Sequence, residues 1–191
     1  MGSFYTNVLV QGATQDQIAE DLRGVGREAY VSPTVGRFTV VYDALSECQD
    51  HGLLAHFAGQ LSRRLGATAM ASLMHDDDVL MYWLFQDGEL VDEYSSAPGY
   101  FEDADGEATP PSGGDARRLC LTFGAEGAAD EVERVLRAFG ETDFYVFETD
   151  RHHELIRLLG LPAFAADFGF DYIARGETPH GLKQGDLVRT L

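Results

Sequence analysis

Alternating apolar segments bounded by glycine and proline, two helical apolar stripes between them and an Asp-Gly hairpin dipeptide predict an α+β fold for this 191-residue chain. The length exceeds the roughly 100–150 residues of the commonest domains and stays below the roughly 250–300 at which chains split, so a sizeable core is available. A composition of 45% apolar and 24% charged residues is that of a globular protein. No run reaches the ~18 apolar residues of a membrane span. The segment Met1 to Gln11 has neither a basic start nor an apolar signal core, so a cytoplasmic location is expected.

Phe4, Thr6, Val8 and Val10 alternate with Tyr5, Asn7 and Leu9, the pattern of a paired strand. Thr14 with Gln17 forms a capping box, after which Ile18, Leu22 and Val25 recur at helical spacing until Gly24 and Gly26 supply the exit. Glu28 to Ser32 and Arg37 to Asp43, separated by Pro33 and Gly36, predict two hairpin strands, the second with Phe38, Val40 and Tyr42 on one side. From Gln49 to Leu65 the residues Leu53, Leu54, Phe57, Ala58, Leu61 and Leu65 form one helical stripe, stopped by Gly66. Thr68 to Met74 and Val79 to Gln86 are apolar strands, the latter on both faces and therefore central, and Asp87-Gly88 turns it into Glu89 to Tyr94. A βαββαβ order with an added hairpin predicts a ferredoxin-like sandwich, its two helices on one face of a mainly antiparallel sheet.

Phe101 to Gly114 collects Gly, Pro, Ser and acids without apolar periodicity and reads as a loop or linker. The expected division is therefore an α/β sandwich over 1–100, an acidic connection over 101–114 and a mainly helical part over 115–191, the last either separate or packed on the first as one domain. In that last part Asp115 to Phe123, Asp130 to Phe139 and a segment from Asp150 to Leu159 have helical spacing. Phe144 to Glu148 predicts a strand, the alternation of Phe168, Phe170 and Tyr172 another, and the tail from Thr178 is irregular. Cys48 and Cys120 are too few and too distant for a disulfide scaffold or a zinc site and are expected to be buried thiols.

The formal net charge is −18, with 32 acidic and 14 basic residues. Residues 65–116 carry 12 acids and no Lys or Arg, so about a quarter of the chain holds most of the imbalance. Nucleic acid and anionic membrane surfaces are excluded as partners, since both demand a basic face. A field of this sign attracts a basic protein or a divalent cation, although an acidic surface also serves solubility alone.

His75-Asp76-Asp77-Asp78 occupies the connection between two strands. Carboxylates in one turn can converge on Ca²⁺ or Mg²⁺, and His75 adds a nitrogen suited to a transition metal. Aspartates in a turn are equally ordinary turn chemistry. Asp103 to Glu107 lacks the ligand spacing of a calcium loop. His152-His153-Glu154 concentrates imidazole and carboxylate, but adjacent histidines on a helix point about 100° apart and cannot share a metal as residues four apart do. His51 and His56, five apart, miss that spacing too. No GxSxG, SxxK, phosphate loop or Rossmann fingerprint is present, so no catalytic residue and no organic cofactor is assigned.

Asp78 to Phe101, DVLMYWLFQDGELVDEYSSAPGYF, interleaves Tyr82, Trp83, Phe85, Tyr94, Tyr100 and Phe101 with acids. It resembles segments of bacterial proteins that share a D-V-L…D-G-x-L-V-D-x-Y-x-S-x-P-x-Y-F pattern. The resemblance covers about 24 residues and implies no activity and no catalytic residue.

Two functions are expected from the residues. The first is a non-catalytic protein that binds a basic protein partner, immunity-like or as a polyanion mimic, through Asp76, Asp77, Asp78, Tyr100, Glu102, Asp103, Asp105 and Glu107. The alternative is a metal-assisted hydrolase with a divalent cation on His75, Asp76 and Asp78.

Overall fold

The computed structural model describes residues 2–101, 109–140 and 145–191. Within them the chain forms β1 (Tyr5–Gln11), α1 (Gln15–Gly24), β2 (Ala29–Val31), β3 (Phe38–Asp43), α2 (His51–Leu65), β4 (Thr68–His75), β5 (Val79–Gln86) and β6 (Glu89–Ser95). There follow β7 (Ser112–Gly113), α3 (Ala116–Phe123), α4 (Ala129–Arg137), α5 (Glu148–Leu158), α6 (Phe170–Ala174) and β8 (Val188–Arg189). One sheet runs β7-β6-β5-β4-β1-β3-β2-β8, with every neighbouring pair antiparallel. The fold is α+β, and no helix of the described residues is long and apolar enough to cross a membrane.

Strand alternation divides the sheet between two cores. On one face Val8, Val10, Val41, Ala71 and Leu73 meet Ile18 and Leu22 of α1 and Leu54, Phe57, Ala58 and Leu61 of α2. On the other, Leu9, Val40, Tyr42, Met70, Leu80 and Leu84 meet Leu119 of α3, Val132, Val135 and Leu136 of α4, and Leu155 and Ile156 of α5. Neighbours such as Val8 and Leu9 thus serve opposite layers, as the two-residue period of a strand requires. Each fully buried aliphatic of this kind contributes on the order of 1.5–3 kcal/mol.

The expected capping box forms, with Thr14 accepting from Gln17 N. Asp50 caps α2 by accepting from Leu53 N, and Gly66 ends it at φ 57°. Leu53, expected on the buried stripe, is exposed.

Four expectations are corrected. The Phe144 to Glu148 strand does not form: Tyr145 to Phe147 are unpaired, Phe144 lies outside the described residues, and Glu148 opens α5 with its N–H donating to Asp77 O at 2.8 Å. Phe170 and Tyr172 belong to helix α6, whose first N–H is held by the Glu47 carboxylate at 3.0 Å, a tertiary contact that overrides the alternating pattern. The tail supplies β8, which pairs with β2 through Tyr30↔Arg189 and Val31↔Val188. Finally, Cys48 is exposed on the short 3-10 turn after β3, and Cys120 is buried.

Candidate functional site

The β4–β5 connection is a tight turn in which Asp78 N donates to His75 O at 3.0 Å while Asp76 and Asp77 take φ 54° and 61°. Positive φ at both central positions is the type I′ geometry that matches strand twist, and aspartate is among the few non-glycine residues that tolerate it. The acidic run therefore has a local reason. Tertiary contacts then orient each side chain differently. Asp76 Oδ1 accepts from Gly2 N at 3.1 Å, and Asp78 Oδ2 accepts from the Tyr100 hydroxyl at 3.4 Å. Asp77 Oδ1 is enclosed without a partner among the described residues. His75 Nδ1 is taken by the Gln49 side-chain oxygen, and Gln49 Nε2 donates in turn to Met74 O at 2.9 Å. Among the described residues no group of three or more His, Cys, Asp or Glu side chains, His75, Asp76 and Asp78 included, is placed to hold a metal ion.

An aromatic stripe lies beside this turn. The His75 ring stands edge-on to Phe4 at 4.7 Å and to Phe101 at 5.1 Å between centroids, and Tyr100 contacts both His75 and Phe101. Phe101 stacks on His51 at 6.2 Å, and His51 on Trp83 at 6.4 Å with planes 9° apart. Burial and the charges of Asp78 and Asp76 hold the Tyr100 phenol above its ordinary range.

The stripe leads into a groove of about 280 Å³ lined by His51, Met81, Trp83, Glu93, Ser95 and Ser112, among others. Its floor is the α2-side face of β5 and β6. Trp83 and Glu93 are directly opposite in the ladder, as are Met81 and Ser95, so each pair shares that face. Gly113, at φ 69°, closes one side; a Cβ there would meet Glu93 O at 2.1 Å, so only glycine fits. Ser95 Oγ is enclosed without a hydrogen-bond partner among the described residues.

Of the residues expected to bind a partner, Asp76, Asp77, Asp78 and Tyr100 come together at this end of the sheet. Glu102, Asp103, Asp105 and Glu107 lie outside the described residues. The remaining acids of 65–116 do not join them. Asp87 and Glu89 sit at the far end of β5, where Glu89 pairs with Arg63 at 3.6 Å. Asp92 is engaged by the Tyr82 hydroxyl at 2.7 Å, and Asp115 pairs with Arg118 at 3.8 Å. The acids thus form separate groups, and in the group beside the stripe no Arg or Lys is ion-paired to Asp76, Asp77, Asp78 or Glu93 among the described residues.

The histidine-rich helix start disperses as well. His152 is buried against Tyr5, His153 Nε2 meets Asp167 Oδ2 at 2.6 Å together with His180 Nε2 at 3.0 Å, and Glu154 accepts from Arg134 at 2.7 Å. The pairing of Trp83 with Glu93 and the partly buried Glu47 escaped the sequence reading. No local signal marks either: counting back from the Asp87-Gly88 turn sets Trp83 against Asp92, and a bulge between Leu84 and Phe85 shifts that register. No family model, no curated protein and no solved structure matches this chain.

Proposed function

We propose that this protein is non-catalytic and binds a basic protein partner in the cytoplasm, in the manner of an immunity protein or polyanion mimic, through the acidic and aromatic end of its sheet. One observation carries the reading: Asp76, Asp78 and Glu93 border a continuous stripe of aromatic rings with no Arg or Lys ion-paired to them among the described residues. Carboxylates beside aromatic rings suit Lys and Arg side chains, which gain ion pairing and cation–π attraction together. The fold supports such a role by presenting these residues on a framework that reads as ferredoxin-like over its first 75 residues. Its support is the strand order β4-β1-β3-β2, with α1 and α2 packed on one face.

The test is capture from a native lysate followed by identification of the retained protein and titration with it. A basic partner is expected, with affinity falling about tenfold or more between low and high salt and a similar loss in a D76N/D78N/E93Q variant. Binding indifferent to both salt and the variant would overturn the reading, as would the absence of any retained basic protein.

A further inference from the structure

We propose that the groove beside β6 receives the guanidinium group of an arginine carried by the partner, an inference that rests on the basic-partner reading above. Trp83 supplies an aromatic wall and Glu93, directly across the ladder, a carboxylate on the same face. A cation between them gains attraction to the indole face and a charge-assisted hydrogen bond at once. Ser95 lines the same groove, its Oγ enclosed and without a partner among the described residues. Met81 adds a polarizable apolar contact suited to the side-chain stem.

The shape selects among cations. A volume of about 280 Å³ admits a side chain and excludes a folded element. His51 and Trp83 stack on one another, 6.4 Å between centroids and 9° from parallel, and together they give the groove a flat aromatic lining on which a planar group can lie. Guanidinium is flat, stacks on aromatic faces and presents paired donors to a carboxylate, whereas lysine is a hydrated point charge. The positive end of α2 would oppose a cation near His51, but the Asp50 carboxylate accepts from Leu53 N there and offsets it. Among the described residues no Arg or Lys of this chain is ion-paired to Glu93, so the carboxylate is available.

Trp83 is the single tryptophan of the chain, so its emission reports on the groove directly. The full chain is titrated with hexa-arginine and hexa-lysine peptides at equal ionic strength, by fluorescence and by calorimetry. The expected result is a saturable change in Trp83 emission with hexa-arginine and binding about fivefold or more tighter than hexa-lysine. E93Q is expected to abolish that preference with circular dichroism and melting unchanged, and D76N/D78N to weaken both peptides alike. Equal affinities for the two peptides, or calorimetric binding with silent Trp83 emission, would overturn the arginine groove while leaving the basic-partner reading standing. Failure of both peptides to bind would overturn the two together.

Discussion

Tyr5 Oη and His152 Nδ1, 147 positions apart in the chain, share a 2.7 Å hydrogen bond in the interior, between the first strand of the sheet and helix α5. His152 Nε2 has no partner among the described residues, and a cavity of about 10 Å³, roughly one water in size, lies against the ring. Burial pushes the imidazole down to about 4 and the Tyr5 phenol well above its ordinary value. The unfolded chain, with an ordinary imidazole near 6.5, therefore binds more protons than the folded one between those values. The His152 contribution to stability falls as pH drops from about 6.5 towards 4, by on the order of 3 kcal/mol in total. In urea unfolding across that range, His152→Phe should gain stability relative to the natural chain as the pH falls; a difference between the two that does not change with pH would contradict it.

Glu47 works with the opposite sign. Its carboxylate, held by Phe170 N at 3.0 Å and the Thr6 hydroxyl at 3.3 Å, is pushed up to about 7, chiefly by burial. Between the ordinary 4.5 and 7 the folded state holds the extra proton, so stability declines as pH rises through that interval. Glu47→Gln keeps an acceptor for Phe170 N and removes the ionisation. The variant is expected to be more stable than the natural chain at pH 8, by roughly 1–3 kcal/mol, and no more stable at pH 5. Because the His152 and Glu47 slopes oppose one another below about 6.5, the natural chain should show a flatter profile there than either variant.

Arg151 is 3% exposed, its guanidinium bonded to Glu148 at 2.7 and 3.2 Å, to Ala138 O at 2.9 Å and to Val135 O. It thereby ties the start of α5 to the end of α4. Arg151→Leu strands both carbonyls and leaves Glu148 buried without its counter-charge, a loss expected at about 3–5 kcal/mol in denaturant titrations. Arg151→Lys should recover only part of it, since an ammonium cannot span the same acceptors. Full recovery by lysine would show that charge alone matters here.

The two thiols should separate cleanly. Cys48 is exposed, whereas Cys120 is buried in the α3 face of the core with its thiol pushed up by burial. A chromogenic thiol reagent is expected to titrate one equivalent rapidly in the native protein and a second only after denaturation. Cys48→Ser should abolish the fast phase, and a fast phase that survives it would place Cys120 at the surface.

Where local chemistry decides, the sequence was readable: the Thr14–Gln17 box, the glycine after α2, and the aspartate turn whose φ values only a few residue types accept. It failed at Phe170 and Tyr172, where an alternating pattern gave way to a helix held by Glu47, more than a hundred residues away. It also failed to separate the acids. A count of 12 carboxylates without a base is a property of the chain, but Arg63 and Arg118, which compensate two of them, come from outside that segment.

The candidate groove shows the same division at the scale of one residue. Counting back from Asp87-Gly88 pairs Gln86 with Glu89 and Phe85 with Leu90, and the same count would set Trp83 against Asp92. A bulge between Leu84 and Phe85 shifts the register so that Glu93 faces Trp83 and Asp92 turns inward to the Tyr82 hydroxyl. By itself the sequence determined the α+β class, the turns, the caps and the acidic balance, because those follow from side-chain chemistry acting over a few residues. Which carboxylate lies across from the tryptophan, which histidine is buried, and which acids find an arginine were decided only by tertiary structure. They depend on register and on contacts between residues that the chain order keeps far apart.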